Sequence, residues 1–212
     1  MEPLAAIRRI AERIAPGRSP SFMEAHVLKA LEALSSEPRV GRKRLGMFLG
    51  LSEGVTRTLL RHLRAEGFIE VTRRGIGLTE KGARLLGTLR SHILGGMEVP
   101  SGPLTIGPKN FAVLVKGAGG QVRSGVEQRD AALKAGAMGA TTLVFDGERF
   151  TIPGMEEAPP GVEEVYELLL RLKPRRGDVI IVGSASDILS AELGAKTAAL
   201  ELLRSMSREV EG

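Results

Sequence analysis

The segment from residue 41 to residue 82, GRKRLGMFLGLSEGVTRTLLRHLRAEGFIEVTRRGIGLTEKG, constrains the fold more than any other part of this chain. Its hydrophobic spacing predicts a short helix over residues 42–49 and a second helix over residues 53–66. Gly50 can adopt the positive φ that ends a helix, and Ser52 can cap the helix that follows. This stretch therefore predicts two helices joined by a tight turn.

A predicted hairpin follows the second helix. Residues 68–72 alternate in the way a half-buried strand does, Arg73-Arg74-Gly75 form a turn, and residues 76–78 return. Thr79 can cap a further helix that begins at Glu80. Helix, turn, helix and hairpin in this order predict a winged helix-turn-helix.

Basic side chains line this predicted module. Arg57 and Arg61 are four residues apart on one helix face, and arginine suits bidentate contacts with guanine or phosphate. The alternative for each arginine is a solvated face, and the alternative for the module is a protein-contact surface. The predicted DNA-binding residues are Arg42, Lys43, Arg44, Ser52, Arg57, Thr58, Arg61, Arg64, Arg73 and Arg74.

Charge divides the chain into two halves. Residues 1–104 hold 17 Lys and Arg against 10 Asp and Glu, a net charge of +7. Residues 105–212 hold 13 against 15, a net charge of −2. A basic half joined to a mildly acidic half is typical of a double-stranded DNA binder with a second domain of another role.

The run LGLSEGVTRTLLRHLRAEGFIEVTRRGIGLTEKG, with its closing L-T-x-K-G, resembles prokaryotic winged-helix transcriptional regulators. This likeness covers residues 20–85. The whole chain is also similar to archaeal proteins that couple such a module to a C-terminal domain of unknown function. The resemblance implies DNA binding by the first half, and it implies no activity for the second.

Two further helices flank the module, over residues 4–14 and 80–94. Each has an apolar stripe that can pack on its own domain or on a second copy of the chain. We expect a homodimer, with the C-terminal domain as the first candidate for its interface and the helix over residues 80–94 as the second.

The fold class predicted is α+β. Residues 1–94 form the winged-helix domain, residues 95–109 a Gly- and Pro-rich linker, and residues 110–212 an α/β domain. The order β-α-β-β-α-β over residues 110–182 predicts a split β-α-β, ferredoxin-like sandwich with helices on one face and an extra C-terminal helix. A doubly wound parallel sheet is the alternative, and the Asp146-Gly147 hairpin signal argues against it.

Two glycine-rich loops in the second half suggest a small anionic metabolite. The first is a candidate because glycines let the backbone approach a ligand and a helix N-terminus offers free N–H groups. Its predicted ligand-binding residues are Lys116, Gly117, Gly119, Gly120, Arg123 and Ser124. The alternative is a flexible connection. In the second loop, residues 183–187, Ser184 or Ser186 can simply cap the last helix, and a split β-α-β fold places the two loops at opposite ends of the sheet.

Enzyme chemistry has little support in the sequence, so we expect no catalytic residues, metal or cofactor. The chain has no cysteine, and its histidines, His26, His62 and His92, lack metal-ligand spacing and are predicted to be surface or packing residues. No apolar run approaches the roughly 20 residues of a membrane span, and the N-terminus lacks a signal-peptide core. We therefore expect a cytoplasmic transcriptional regulator whose second domain senses a ligand or mediates assembly. The alternatives are a non-regulatory scaffold and, less favoured, a small-molecule enzyme fused to a winged helix.

Overall fold

The computed structural model describes residues 2–12, 21–37 and 39–210. The chain divides into two compact units, Met1–Leu89 and Arg90–Gly212. The elements of the first unit are α1 (Glu2–Ala11), α2 (Glu24–Ser36), α3 (Arg42–Leu49), α4 (Glu53–Ala65), β1 (Ile69–Thr72), β2 (Gly75–Leu78) and α5 (Glu80–Arg90).

The core of the first unit lies among its helices. α1 packs on α2 and α4, and Ile7 and Ile10 of α1 are completely buried. The apolar stripe of α1 is therefore used within its own unit. Ile14, the last residue of the predicted stripe, lies outside the described residues.

α3 and α4 form the predicted helix-turn-helix, and β1 and β2 form the predicted hairpin. Gly50 ends α3 in the left-handed conformation with φ 65°, as its position in the sequence indicated. β1 and β2 are antiparallel, with Ile69 opposite Leu78 and Thr72 opposite Gly75. Val40 adds an antiparallel bridge to Ile76, which ties the segment before α3 to the hairpin.

The second unit is built on a five-stranded sheet. Its elements are β3 (Ile93–Val99), β4 (Lys109–Val115), the short 3-10 helix Gly119–Gln121, α6 (Val126–Lys134), β5 (Gly139–Phe145), β6 (Phe150–Thr151), α7 (Glu163–Leu170), β7 (Val179–Ala185) and α8 (Ile188–Val210). The strand order is β3-β4-β7-β5-β6, and every neighbouring pair is antiparallel.

Two split β-α-β units interlock in this sheet. β7 lies between β4 and β5, which α6 connects, and β5 lies between β6 and β7, which α7 connects. The α+β class and the split β-α-β pattern are thus confirmed. The strand order differs from a ferredoxin-like sheet because β6 lies at the edge, and with two residues it is too short to pair on both sides.

Helices cover both faces of the sheet, which corrects the expectation that they share one face. Leu114, Leu143 and Ile180 point toward α7 and form a core with its Val165 and Leu169. The opposite face packs on α6 and α8. Side chains alternate along a strand, so the buried strands supply apolar residues to both layers.

Two segments differ from their predicted structure. The segment 95–109, predicted as a linker, contains most of β3, and the division between the units falls after Leu89. α5 ends at Arg90 instead of residue 94, and its Leu85, Leu86 and Leu89 are buried. Ile93 belongs to the sheet because its register places it opposite Val115.

Candidate nucleic-acid interface

A groove of about 710 Å³ lies between α4 and the β1–β2 hairpin. Its floor includes Leu60 and Ile76, which are buried in the unit beneath. Five arginines line it: Arg42, Arg57, Arg61, Arg64 and Arg73. The structure thus brings together half of the sequence-predicted DNA contacts in one concave surface, which is here called the arginine groove.

The face of α4 explains how three of these arginines come together. Arg57, Arg61 and Arg64 are spaced by four and three residues, so they form one stripe along the helix. The opposite face of α4 buries Leu59 and Leu63. The amphipathic character of α4 therefore fixes which side chains are presented.

The turn before α4 is held by side-chain hydrogen bonds. Ser52 caps α4, its Oγ accepting from the Val55 N–H at 3.5 Å, and the Thr56 hydroxyl donates to the Ser52 carbonyl at 2.9 Å. Gly46 of α3 lies so close that a Cβ there would be 2.7 Å from Thr56 Oγ1. The predicted contact Ser52 thus has a structural role at the N-terminus of α4.

The N-terminus of α4 carries an acidic residue, Glu53, that sequence reasoning missed. Its Oε1 accepts from Arg42 Nη2 at 2.9 Å and from Arg57 Nη2 at 3.2 Å. The four-residue spacing between Glu53 and Arg57 is visible in the sequence. The sequence does not show the link between Glu53 and Arg42, because that link depends on how α3 packs against α4.

The other three arginines of the groove have no acidic partner among the described residues. Within the described part of the chain, Arg61, Arg64 and Arg73 make no ion pair or side-chain hydrogen bond. Their guanidinium groups keep their donors available, and guanidinium matches phosphate and guanine in a bidentate geometry. The groove therefore presents uncompensated positive charge.

The hairpin tip is a two-residue loop formed by Arg73 and Arg74. Thr72 Oγ1 donates to the Gly75 carbonyl at 3.1 Å and accepts from the Arg74 N–H at 3.2 Å. Arg39, another residue that the sequence did not single out, pairs with Glu70 at 2.7 Å. The base of the hairpin is thus braced while its tip is exposed.

The other predicted contacts lie outside the lining of the arginine groove. Lys43 and Arg74 are exposed, and Arg44 pairs with Glu37. Thr58 donates its hydroxyl to the Gly54 carbonyl at 3.2 Å, so that side chain is turned back onto its own helix.

Two histidines of this unit have packing roles. His62 is buried, and its Nδ1 lies 2.8 Å from the Ile10 carbonyl, which links α4 to α1. His26 accepts from the Met23 N–H at 3.1 Å and so caps the start of α2 with its side chain. Burial, with a smaller effect of nearby Lys29, lowers the pKa of His26 to about 4. The imidazole is therefore neutral near pH 7.

Four backbone amides of the glycine loop after β4 are hydrogen-bonded within the protein. The Gly117 N–H donates to Asp178 Oδ1 and the Gly119 N–H to the Gly177 carbonyl, each at 2.8 Å. The N–H groups of Gln121 and Val122 bond within the loop. These four amides are thus already paired, and α6 begins only at Val126.

The outer residues of that loop remain. Gly120, Arg123 and Ser124 are exposed, and Lys116 is half-buried, its N–H donating to the His92 carbonyl at 2.8 Å. Lys116 and Arg123 supply the basic side chains of this loop, whereas its glycines shape the backbone turn.

The loop after β7 lies at the other end of the sheet. Val115 pairs with Val179 and Lys109 with Ala185, so the two loops cannot share a pocket. Asp187 caps α8 instead of Ser184 or Ser186, accepting from the Ser190 N–H at 2.9 Å and the Ser190 hydroxyl at 2.7 Å. These bonds lower the pKa of Asp187.

Neither a metal cluster nor a membrane helix emerges from the described residues. In them no three His, Cys, Asp or Glu side chains are grouped so that they could hold an ion. None of their helices is both long enough and apolar enough to cross a bilayer.

Comparisons with known proteins fall on the same two units. Residues 25–93 match the family described as the CggR N-terminal DNA binding domain. Residues 106–202 match a family described as a domain of unknown function. Among curated proteins nothing matches significantly.

A solved structure, of a hypothetical protein from Pyrococcus horikoshii OT3, is similar over most of the chain. The TM-score is 0.71 at 28% sequence identity, covering 87% of this chain and 94% of that one. The chain thus resembles a regulator in which an N-terminal DNA-binding domain is joined to a C-terminal domain of unknown function.

Proposed function

We propose that this protein is a winged-helix transcriptional regulator that binds double-stranded DNA through the arginine groove. The observation that carries the proposal is the set of five arginines between α4 and the hairpin. The match of residues 25–93 to a DNA-binding domain family supports it. Such a protein acts in the cytoplasm and needs no catalytic residue.

In this proposal α4 is the recognition helix. Residues toward its N-terminus reach base edges in the major groove, and Arg57 and Arg61 are the base readers. Arg73 and Arg74 at the hairpin tip contact the phosphate backbone or the minor groove. Arg42 and Lys43 contact phosphates from α3.

The second unit is proposed to mediate dimerisation and to sense a ligand. Exposed apolar side chains support an assembly role: Ile106, Leu133 and Met138 are 56%, 46% and 51% exposed. A Cβ at Gly139 would lie 2.5 Å from Ile106 Cδ1 and 3.7 Å from Arg129 Cγ, which places Ile106 near α6. The leucines of α5 are buried in the first unit, so the dimer interface is assigned to the second.

A small anionic metabolite is the proposed ligand, held by the Lys116 and Arg123 side chains. It would change DNA affinity only by its preference for one arrangement of the dimer. Thermal melts of the protein with candidate metabolites test this step. Unchanged melting with every metabolite, together with unchanged DNA affinity after Lys116→Ala and Arg123→Ala, contradicts it.

Selection of bound fragments from fragmented genomic DNA tests the main proposal. The full-length protein is used at near-physiological salt, and the Arg57→Ala, Arg61→Ala double variant serves as the control. A recurrent palindromic site that the double variant no longer enriches is the expected result. Enrichment no better than that of bulk DNA contradicts specific regulation.

A scaffold function is the second candidate, and one observation favours it. Met47 and Phe48 of α3 are 74% and 51% exposed, which is unusual for adjacent large apolar residues. A protein partner that binds this pair would explain their exposure. DNA binding without sequence preference, with a stable complex lost in Met47→Ser, is the result that this alternative predicts.

A further inference from the structure

Glu53 holds two of the five groove arginines through a single oxygen. Both Arg42 Nη2 and Arg57 Nη2 donate to Oε1, at 2.9 and 3.2 Å. Oε2 accepts no hydrogen bond from any described residue. The side chain is 65% exposed, so this second oxygen is free to meet a ligand.

Glu53 also lies where bases would be read under the proposed function, on which this inference rests. Glu53 is the first residue of α4, and the N-terminal residues of a recognition helix contact base edges. A carboxylate is an acceptor only, and the base edge it suits in the major groove is the N4 amino group of cytosine. Guanine and thymine present acceptors there, and adenine sets its N6 amino donor beside the N7 acceptor, so all three suit a carboxylate less well than cytosine.

The two arginines give this contact its geometry. A single exposed glutamate samples many rotamers, and each exposed ion pair contributes little to stability. Two donors on one oxygen, from α3 and from the next turn of α4, together favour the orientation in which Oε1 faces both arginines. Glu53 also offsets the charge of Arg42 and Arg57, which weakens their attraction to phosphates of any sequence.

We propose that Glu53 is a specificity-determining residue: its Oε2 accepts from the N4 amino group of a cytosine, while Arg42 and Arg57 hold the carboxylate in place. The same charge lowers affinity for DNA that lacks cytosine at that position. Glu53 thus sharpens the choice of site and reduces non-specific binding.

The experiment compares wild-type protein with Glu53→Gln in fragment selection, followed by titration of duplexes that vary one base at a time. Glu80→Gln is the matched control. Glu80 is likewise the first residue of its helix and pairs with an arginine four residues later, at 3.3 Å, but neither Glu80 nor its partner Arg84 lines the groove. Loss of a helix-dipole or ion-pair contribution is therefore common to both variants.

For Glu53→Gln we expect cytosine preference to fall about tenfold at one position of each half-site, and affinity for random DNA to rise roughly threefold. Glu80→Gln is expected to change neither quantity. An unchanged base profile for Glu53→Gln, or the same change in Glu80→Gln, overturns the inference and leaves the regulator proposal intact. A wild-type protein without any site preference overturns both.

Discussion

Arg61 and Arg74 are both exposed arginines, but they occupy different parts of the proposed DNA surface. Arg61 lines the arginine groove from α4, whereas Arg74 lies at the hairpin tip outside the lining. We expect Arg61→Ala to cost about 1–3 kcal/mol on a selected site and far less on random DNA, since a base contact is lost. Arg74→Ala is expected to weaken binding to both equally. Anisotropy titrations with the selected duplex and a random duplex measure the loss of affinity for each variant. If Arg61→Ala, like Arg74→Ala, lost the same affinity on both duplexes, the assignment of Arg61 to a base would be contradicted.

His26 makes the stability of the first unit depend on pH. Its folded pKa of about 4 lies below the ordinary value of 6.5, so the unfolded chain takes up the proton first as the pH falls. The free energy of unfolding that comes from keeping His26 neutral is fully present above pH 6.5 and is lost progressively as the pH falls toward 4. The loss is about 2 kcal/mol by pH 5.

Urea unfolding at pH 7 and pH 5 tests this contribution. His26→Gln keeps an acceptor for the Met23 N–H but does not titrate, so its loss of stability between the two pH values is expected to be smaller. Groups that titrate elsewhere affect both proteins alike. The same pH dependence in both would show that His26 is readily protonated in the folded state.

At the scale of elements, the contact between α3 and α4 sets the position of the recognition helix. A methyl group at Gly46 would lie 2.7 Å from Thr56 Oγ1, which is buried and bonded to the Ser52 carbonyl. We expect Gly46→Ala to destabilise the protein by about 1–3 kcal/mol, because the two helices must move apart.

Gly54 provides the control for this prediction. It lies in the first turn of α4 with open space around its Cβ position, so Gly54→Ala is expected to stabilise the helix by about 0.5–1 kcal/mol. Thermal unfolding of both variants gives the comparison. If Gly46→Ala were as stable as Gly54→Ala, close approach would not determine the helix packing.

For the whole molecule, the arginine groove predicts a steep dependence of DNA affinity on salt. If the four basic residues assigned to phosphates in each protomer, Arg42, Lys43, Arg73 and Arg74, each neutralise one, the logarithm of the binding constant falls with the logarithm of salt with a slope of about −3.6, and about −7 for a dimer. Titrations between about 50 and 200 mM salt, with sedimentation to count protomers, measure both quantities. A slope shallower than about −3 argues against the groove as the contact surface.

In the second unit, local sequence pattern was sufficient to predict the β5–β6 hairpin but not the strand β3. Asp146 and Gly147 predicted the β5–β6 hairpin, and the Asp146 carboxylate accepts from the N–H groups of Glu148 and Arg149, which lowers its pKa. Turn chemistry of this kind acts over three or four residues, so the sequence displays it directly. β3 had no such signal, because its Gly-Gly pair resembles a linker and its pairing with β4 is a long-range choice.

The sequence by itself determined the helix-turn-helix, the hairpin, the class of the second unit and the stripe of arginines on α4. These features follow from side-chain periodicity, turn residues and caps, which are local properties of the chain. Only the tertiary structure decided that Arg42 pairs with Glu53 and that two amides of the glycine loop donate to Asp178 and Gly177. It also decided that α7 packs on the face of the sheet opposite to α6 and α8. Each of these depends on which distant segments pack together, and that choice is made by the burial of apolar surface in the whole unit.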